Sequence, residues 1–444
     1  MTALLWLRRD LRIHDHPALE AARRGADHLV PVFCFDDRLL HGRHASGPRS
    51  QFLLECLADL DRSLRARGSQ LVVRRGRPEI EIPKLAAQTA AKTVHYTADV
   101  SAFARDRDAR TTAALTRTGA TVHEHPGLFA LDDVAAIRTQ HQDPYTVFTP
   151  FHRAWMRAPR RQTHGAPRRL PPIASGLDPG TLPTLTDLGL RQELEAPQRG
   201  GEDQARKRMT RFVANRAGQY DESRNLLAEP GTARLSPHLH FGCLSPRELE
   251  ERVTNEAFRR QLCWRDFYAH VLLHFPHNAH QEHQARYRGT IRWSRSHQRF
   301  DAWREGRTGY PLVDAGMRQL KREGWIHNRA RLVVGSFLTK DLGIDWRWGE
   351  RHFMRLLLDG DEASNNGNWQ WIASVGVDPQ PAFRRMFNPG RQQARFDADG
   401  KYIRRYVPEL SDGDGDGDGN RASGYPEPIV DHAAARQEAL ERYR

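Results

Sequence analysis

Arg, Asp, Asn and Trp crowd the stretch from Trp325 to Trp371. It opens on a His-Asn-Arg-Ala-Arg run, His327 to Arg331, ahead of Leu332, Val333, Phe337 and Leu338 at helical spacing. Trp346 and Trp348 come next, then acidic Asp359 and Asp361, paired Asn365 and Asn366, and finally Trp369 and Trp371. Core packing alone favours Leu and Val over Trp, whose indole N–H needs a partner once buried. These residue types suit a planar, polar, aromatic ligand held against aromatic walls.

Two other patterns invite metal chemistry, and their spacing argues against it. His270, His274, His277, His280 and His283 recur every three or four residues. Pro276 breaks the helix between them and no Cys or carboxylate frame completes a ligand set, so they read as surface histidines. The run DGDGDGDG at 412–419 copies a calcium loop superficially. Its twelfth position falls on Ser423 or Tyr425, where a bidentate Glu is required, so an acidic flexible loop is the reading.

The elements that must position these residues divide the chain. Over residues 1–130, Ala3–Leu7, Leu29–Phe35, Gln70–Val73, Thr93–Tyr96 and Thr121–His123 read as strands, with helices such as Gln51–Arg67 and Arg105–Thr118 between them. That alternation predicts a Rossmann-like α/β domain with a parallel sheet, although no GxGxxG follows the first strand. Residues 131–200 are rich in Pro, Arg and Gly and read as an interdomain connector. From 201 to 444 amphipathic helices dominate, so an all-helical domain is expected.

A chain of 444 residues with 39% hydrophobic content can build two or three cores. Net charge is +13, which points to a polyanionic partner. Cys34, Cys56, Cys243 and Cys263 show no CxxC pairing, so free thiols in a reducing cytoplasm are expected, and no iron–sulfur cluster. No apolar run reaches 18 residues and Met1 leads straight into a strand, so neither membrane span nor signal peptide is expected.

The runs HNRARL, SFLTKDL, DGDEASNNGNWQW and FNPGRQ stand in the order and spacing of the photolyase/cryptochrome flavoproteins. The resemblance extends from LLWLRRDLRIHDHPAL near the start to YPEPIVDHAAARQEAL near the end. It implies that the helical domain holds FAD. Tyr220 and the run Thr232, Ala233, Arg234, Leu235 and Ser236 match the phosphate-binding segment, whose hydroxyls, guanidinium and backbone N–H groups suit a pyrophosphate. Arg331 and Asp359 match a pair beside the flavin ring. Asp361 matches a residue at its polar edge, and Asn365 the one beside flavin N5. Trp369, Trp346 and Trp293 match a three-tryptophan electron path.

The resemblance also implies a DNA substrate containing pyrimidine dimers. Trp264 and Trp371 match two aromatic walls for a flipped-out dimer, and Asn328 a pocket amide. Arg329 and Arg384 match contacts to the lesion phosphate and backbone. Two departures decide the lesion. Gln261 in RRQLCW stands where cyclobutane enzymes carry Glu, and Gln is frequent in (6-4) enzymes and animal cryptochromes. Asn328 and Leu332, however, stand where (6-4) enzymes need His as proton donor, and neither can act as an acid. Leu332 also replaces the Met usual in dimer enzymes, a mild apolar swap.

In the loop ADVSAFARDRD, Phe103 and Ala104 replace the Asn-Glu pair of folate binders. Asp99, Phe103, Arg105 and Asp106 resemble the 8-hydroxy-deazaflavin binders instead, so that antenna chromophore is expected over folate. The whole predicts a monomeric, light-driven cyclobutane-dimer repair enzyme. A blue-light photoreceptor and a (6-4) repair enzyme are the alternatives.

Overall fold

The computed structural model describes residues 1–378, 380–410 and 424–444; the Asp-Gly run at 412–419 lies outside them. Five strands form one sheet: β1 Thr2–Leu7, β2 His28–Phe35, β3 Val72–Arg75, β4 Thr93–Thr97 and β5 Thr121–His125. Their order is β3-β2-β1-β4-β5, and every pairing is parallel. β1 (TALLWL) is buried at every position, as a central strand covered on both faces requires. The order reverses between β1 and β4, the switch point at which open α/β sheets receive ligands.

After β5 the chain has one helix before residue 200, Phe148–Arg157, and every later element among the described residues is helical. The fold is therefore the expected parallel α/β sheet followed by helices. The chain packs into two compact units. The first comprises Met1–Gln192, Arg199–Gly218 and Ala233–Pro276; the second comprises Glu193–Gln198, Gln219–Thr232 and His277–Arg444.

In the first unit, helix Glu256–His274 starts on an Asn255 cap that accepts from Phe258 N, and ends just before Pro276. Positions 266–272 are all buried, so no side of that stretch faces water. His270 is thereby corrected from surface to core. Its Nδ1 donates to Val134 O at 2.8 Å and its Nε2 accepts from Tyr145 N at 3.1 Å. Burial, the main cause, lowers its pKa to about 4, so it is neutral.

In the second unit, Trp303, Val333, Phe337, Trp346, Phe353 and Trp369 belong to one core. Helix Asn328–Ser336 runs into a π-helical turn, Phe337–Asp341. The turn is tied to the end of helix Glu362–Ala373, because buried Lys340 donates to Ala373 O at 2.8 Å. Gly349 is required where it stands: a Cβ there would lie 2.2 Å from the Trp369 ring. All four cysteines are buried and free.

Candidate functional site

The HNRAR run begins helix Asn328–Ser336, which His327 caps by accepting Arg329 N on Nδ1 at 3.1 Å. One turn in, Arg331 Nη2 reaches both oxygens of Asp359, at 2.8 and 3.2 Å, while its Nε donates to Ile326 O at 3.0 Å. Asp359 is nearly buried and Arg331 about a quarter exposed. Asp361 caps helix Glu362–Ala373 by accepting Ser364 N at 2.8 Å. A turn later Asn365 is buried and spends its N–H on Glu350 O at 3.0 Å. That bond uses one of its two amide N–H groups, so a second N–H and the amide oxygen are the groups it can turn to a ligand. This donor and acceptor set fits the edge of a flavin.

Tyr220 and Thr232 belong to the second unit, and burial raises the Tyr220 pKa to about 12. The remainder of the phosphate-binding segment, Ala233 to Ser236, belongs to the first. Arg234 takes a left-handed φ of 51° there. Beside it stands Arg208, a residue the sequence reading missed. Burial, and then the like charges of Arg234 and Arg211, lower the Arg208 pKa. Among the described residues no carboxylate pairs with Arg208, so this cluster fits an anion such as a pyrophosphate. Nothing in the sequence around Arg208 marks it apart from the other arginines.

Trp369 meets Phe353 edge-on at 5.0 Å and Trp303 at 6.2 Å. Trp303 is fully buried and was also missed, because lone tryptophans carry no sequence signal for their neighbours. Trp346 is fully buried and lies in the same core; Trp293 packs against that core from a partly exposed position. Trp293 also meets Tyr443 edge-on at 6.2 Å.

Trp264 and Gln261 lie three residues apart on helix Glu256–His274 and so share a face. Phe148 stacks flat on Trp264 with ring centroids 3.6 Å apart, and the Arg260 guanidinium lies 4.9 Å from the Phe148 ring. The indole is thereby backed on one face. In the second unit, buried Arg385 lies over the Trp371 ring at 4.2 Å, whereas its neighbour Arg384 is exposed and bonds Gln380. Asn328 is exposed and Leu332 half-buried four residues on, again on one helix face. Arg329 stacks on Phe396 at 4.2 Å and bonds Asn225 at 3.0 Å. Burial, and then Arg395 and Arg224, lower its pKa, which marks a second cationic cluster.

The first unit also holds a cavity of about 570 Å³ between β4, β5 and helix Ala102–Arg117. Asp99 and Arg105 line it together with Glu124, Phe129, Asp132 and Leu273. Phe103 instead packs beneath Arg38 at 5.3 Å. No helix among the described residues is long and apolar enough to cross a membrane.

Two family profiles match this chain: DNA photolyase over residues 3–172, and the FAD binding domain of DNA photolyase over residues 258–444. The chain belongs to the photolyase/cryptochrome family. Within that family it stands with the deoxyribodipyrimidine photo-lyases. The Streptomyces griseus enzyme of that name is 42% identical over 96% of this chain and 96% of its own. The Synechococcus enzyme is 38% identical over 97% and 93%.

Among solved structures, a class III photolyase from Agrobacterium tumefaciens superposes with a TM-score of 0.90 at 33% identity, covering 100% of this chain and 97% of that one. A Synechocystis cryptochrome gives 0.89 at 32%, covering 100% and 99%. A Sulfolobus tokodaii photolyase described with two FAD molecules gives 0.88 at 32%, covering 100% and 99%. The helical region is thus an FAD-binding domain of the photolyase type.

Proposed function

We propose that this chain repairs cyclobutane pyrimidine dimers in DNA, driven by blue light absorbed by its bound cofactor. Reduced FAD, when bound, supplies one electron to the dimer on excitation and recovers it once the ring has opened. The residues do the rest. Trp264, stacked on Phe148, and Trp371, with Arg385 over its ring, are partly exposed aromatic surfaces against which the two linked bases of an extruded dimer can pack. Gln261 and Asn328 supply amide hydrogen bonds to the bases, and Arg329 with exposed Arg384 contacts phosphate. Arg331, Asp359, Asp361 and Asn365 orient the flavin, while Tyr220 and the Thr232–Ser236 run with Arg208 hold its phosphates. Trp369, Trp346 and Trp293 return electrons to oxidised FAD from the surface.

The observation that carries cyclobutane over (6-4) repair is the face formed by Asn328 and Leu332, which offers no acid. The adjacent His327 is buried and caps the helix through Nδ1, off the face that Asn328 and Leu332 share. We further assign a second, antenna chromophore of the 8-hydroxy-deazaflavin type to the loop carrying Asp99, Phe103, Arg105 and Asp106. Asp99 and Glu124 in the cavity lining can accept hydrogen bonds from the hydroxyls of a polyol chain, with Arg105 beside them.

A repair assay decides the reading. Oligonucleotides carrying either a cyclobutane dimer or a (6-4) photoproduct are incubated with the fully reduced protein, in blue light and in darkness. Light-dependent loss of the cyclobutane lesion alone is expected. Absence of repair on both would instead support a photoreceptor.

A further inference from the structure

Trp346 is fully buried, yet its indole N–H meets a carboxylate: Nε1 lies 3.4 Å from Glu282 Oε1. Glu282 is 3% exposed and comes from the irregular segment between the short helices Pro276–Ala279 and Ala285–Tyr287. Its other oxygen pairs with Arg347 at 2.8 Å, and the Arg347 guanidinium lies 4.7 Å from the Trp346 ring centroid. Arg347 also pairs with Asp345 at 3.1 Å. Glu282 thus touches the indole N–H directly, while Arg347, shared between Glu282 and Asp345, lies over the ring, and these three charges sum to one negative.

The segment is held in place by the helix that carries Trp369. Gln370 Nε2 donates to Asn278 O at 2.8 Å and Gln281 O at 3.0 Å, and its Oε1 accepts from His283 N at 2.9 Å. Gln284 N adds a bond to Val375 O at 3.1 Å. Satisfying a buried indole needs none of this, since a backbone carbonyl suffices: Trp303 Nε1 donates to Val334 O at 3.0 Å. A buried carboxylate is a costly alternative to a carbonyl. What it adds is negative charge at the point where an oxidised indole becomes positive and its N–H acidic.

We propose that Glu282 is a positioning residue for electron transfer through Trp346. Its carboxylate stabilises the oxidised indole and keeps hold of the indole proton. The inference rests on Trp369, Trp346 and Trp293 being the electron path. In the step, Trp346 gives one electron to oxidised Trp369 and becomes a radical cation. The proton stays in the Nε1–H···Oε1 bond, shared with Glu282 and never released to solvent. One electron from Trp293 then restores the neutral indole with its proton on Nε1. Arg347 offsets part of the carboxylate charge, which prevents the positive charge from being trapped midway.

The test uses the full-length, FAD-loaded protein with Glu282→Gln, which preserves shape and removes charge, and Glu282→Asp, which keeps charge on a shorter arm. A charge-assisted hydrogen bond is roughly twice as strong as a neutral one, so the yield of surface tryptophan radical after a flash should fall about tenfold in Glu282→Gln. Glu282→Asp should recover part of it. Independently of any turnover, the Trp346 indole ¹H–¹⁵N resonance, assigned by its absence in Trp346→Phe, should move upfield in Glu282→Gln. FAD content and thermal midpoint serve as folding controls; should Glu282→Gln not fold, the Glu282→Asp yield and resonance against the parent decide. Equal radical yields in parent and Glu282→Gln, with Trp369→Phe blocking photoreduction, would leave the path standing and overturn the role of Glu282. Normal photoreduction in Trp369→Phe would remove the path and this inference with it.

Discussion

Replacing Asp359 with Ala isolates the part of the cofactor site whose geometry is most fully defined. The mutation strips both acceptors from Arg331 Nη2 and leaves that guanidinium with its Nε bond to Ile326 O. Truncating one partner of a fully buried pair costs about 3–5 kcal/mol, whereas an exposed pair is worth about 0.2–1 kcal/mol. Here the carboxylate is 6% exposed and the guanidinium 27%, which places the cost nearer the buried limit, at about 2–3 kcal/mol. Charged to FAD binding, that is a rise of roughly 30- to 150-fold in dissociation constant. Fluorescence titration of FAD into the apoprotein measures it, and thermal unfolding of the apoprotein measures any share borne by the fold alone. An Asp359→Ala protein that binds FAD within about threefold of the parent, with unaltered flavin spectra, would refute the proposed cage.

Trp369→Phe should slow photoreduction of oxidised FAD strongly, as followed by absorbance under continuous blue light; unchanged kinetics would reject the path. Arg329→Ala should weaken binding to dimer-containing DNA and reduce the salt slope by about one, because one guanidinium–phosphate contact is lost. A slope equal to the parent's would move the phosphate contact elsewhere. Gln261→Glu should preserve or raise the quantum yield on a cyclobutane dimer, since a carboxyl keeps the hydrogen bond and can share a proton, while Asn328→Ala should lower it. Damage to activity by Gln261→Glu would instead point to a (6-4) enzyme.

The sequence alone determined the sheet, the helical remainder and the motifs, because each is a local pattern. β1 and β2 are apolar runs that only a sheet covered on both faces can bury, and their ends shift by one residue or two at most. The capping roles of His327 and Asp361 came from the structure, although each lies within three residues of the atom it serves. What only the tertiary structure decided are contacts between residues far apart in the chain. Phe148 on Trp264, Arg385 on Trp371, Arg208 beside Arg234, Trp303 against Trp369 and Glu282 under Trp346 all depend on how the helices pack. His270 shows the same limit from the other side. Histidine spacing on a helix tells which residues share a face, but that helix is buried on every side over 266–272, and periodicity records a face only where one side meets water. Side-chain chemistry is written residue by residue, whereas burial and charge environment belong to the assembled core, and those set whether an indole, an imidazole or a carboxylate is structural or reactive.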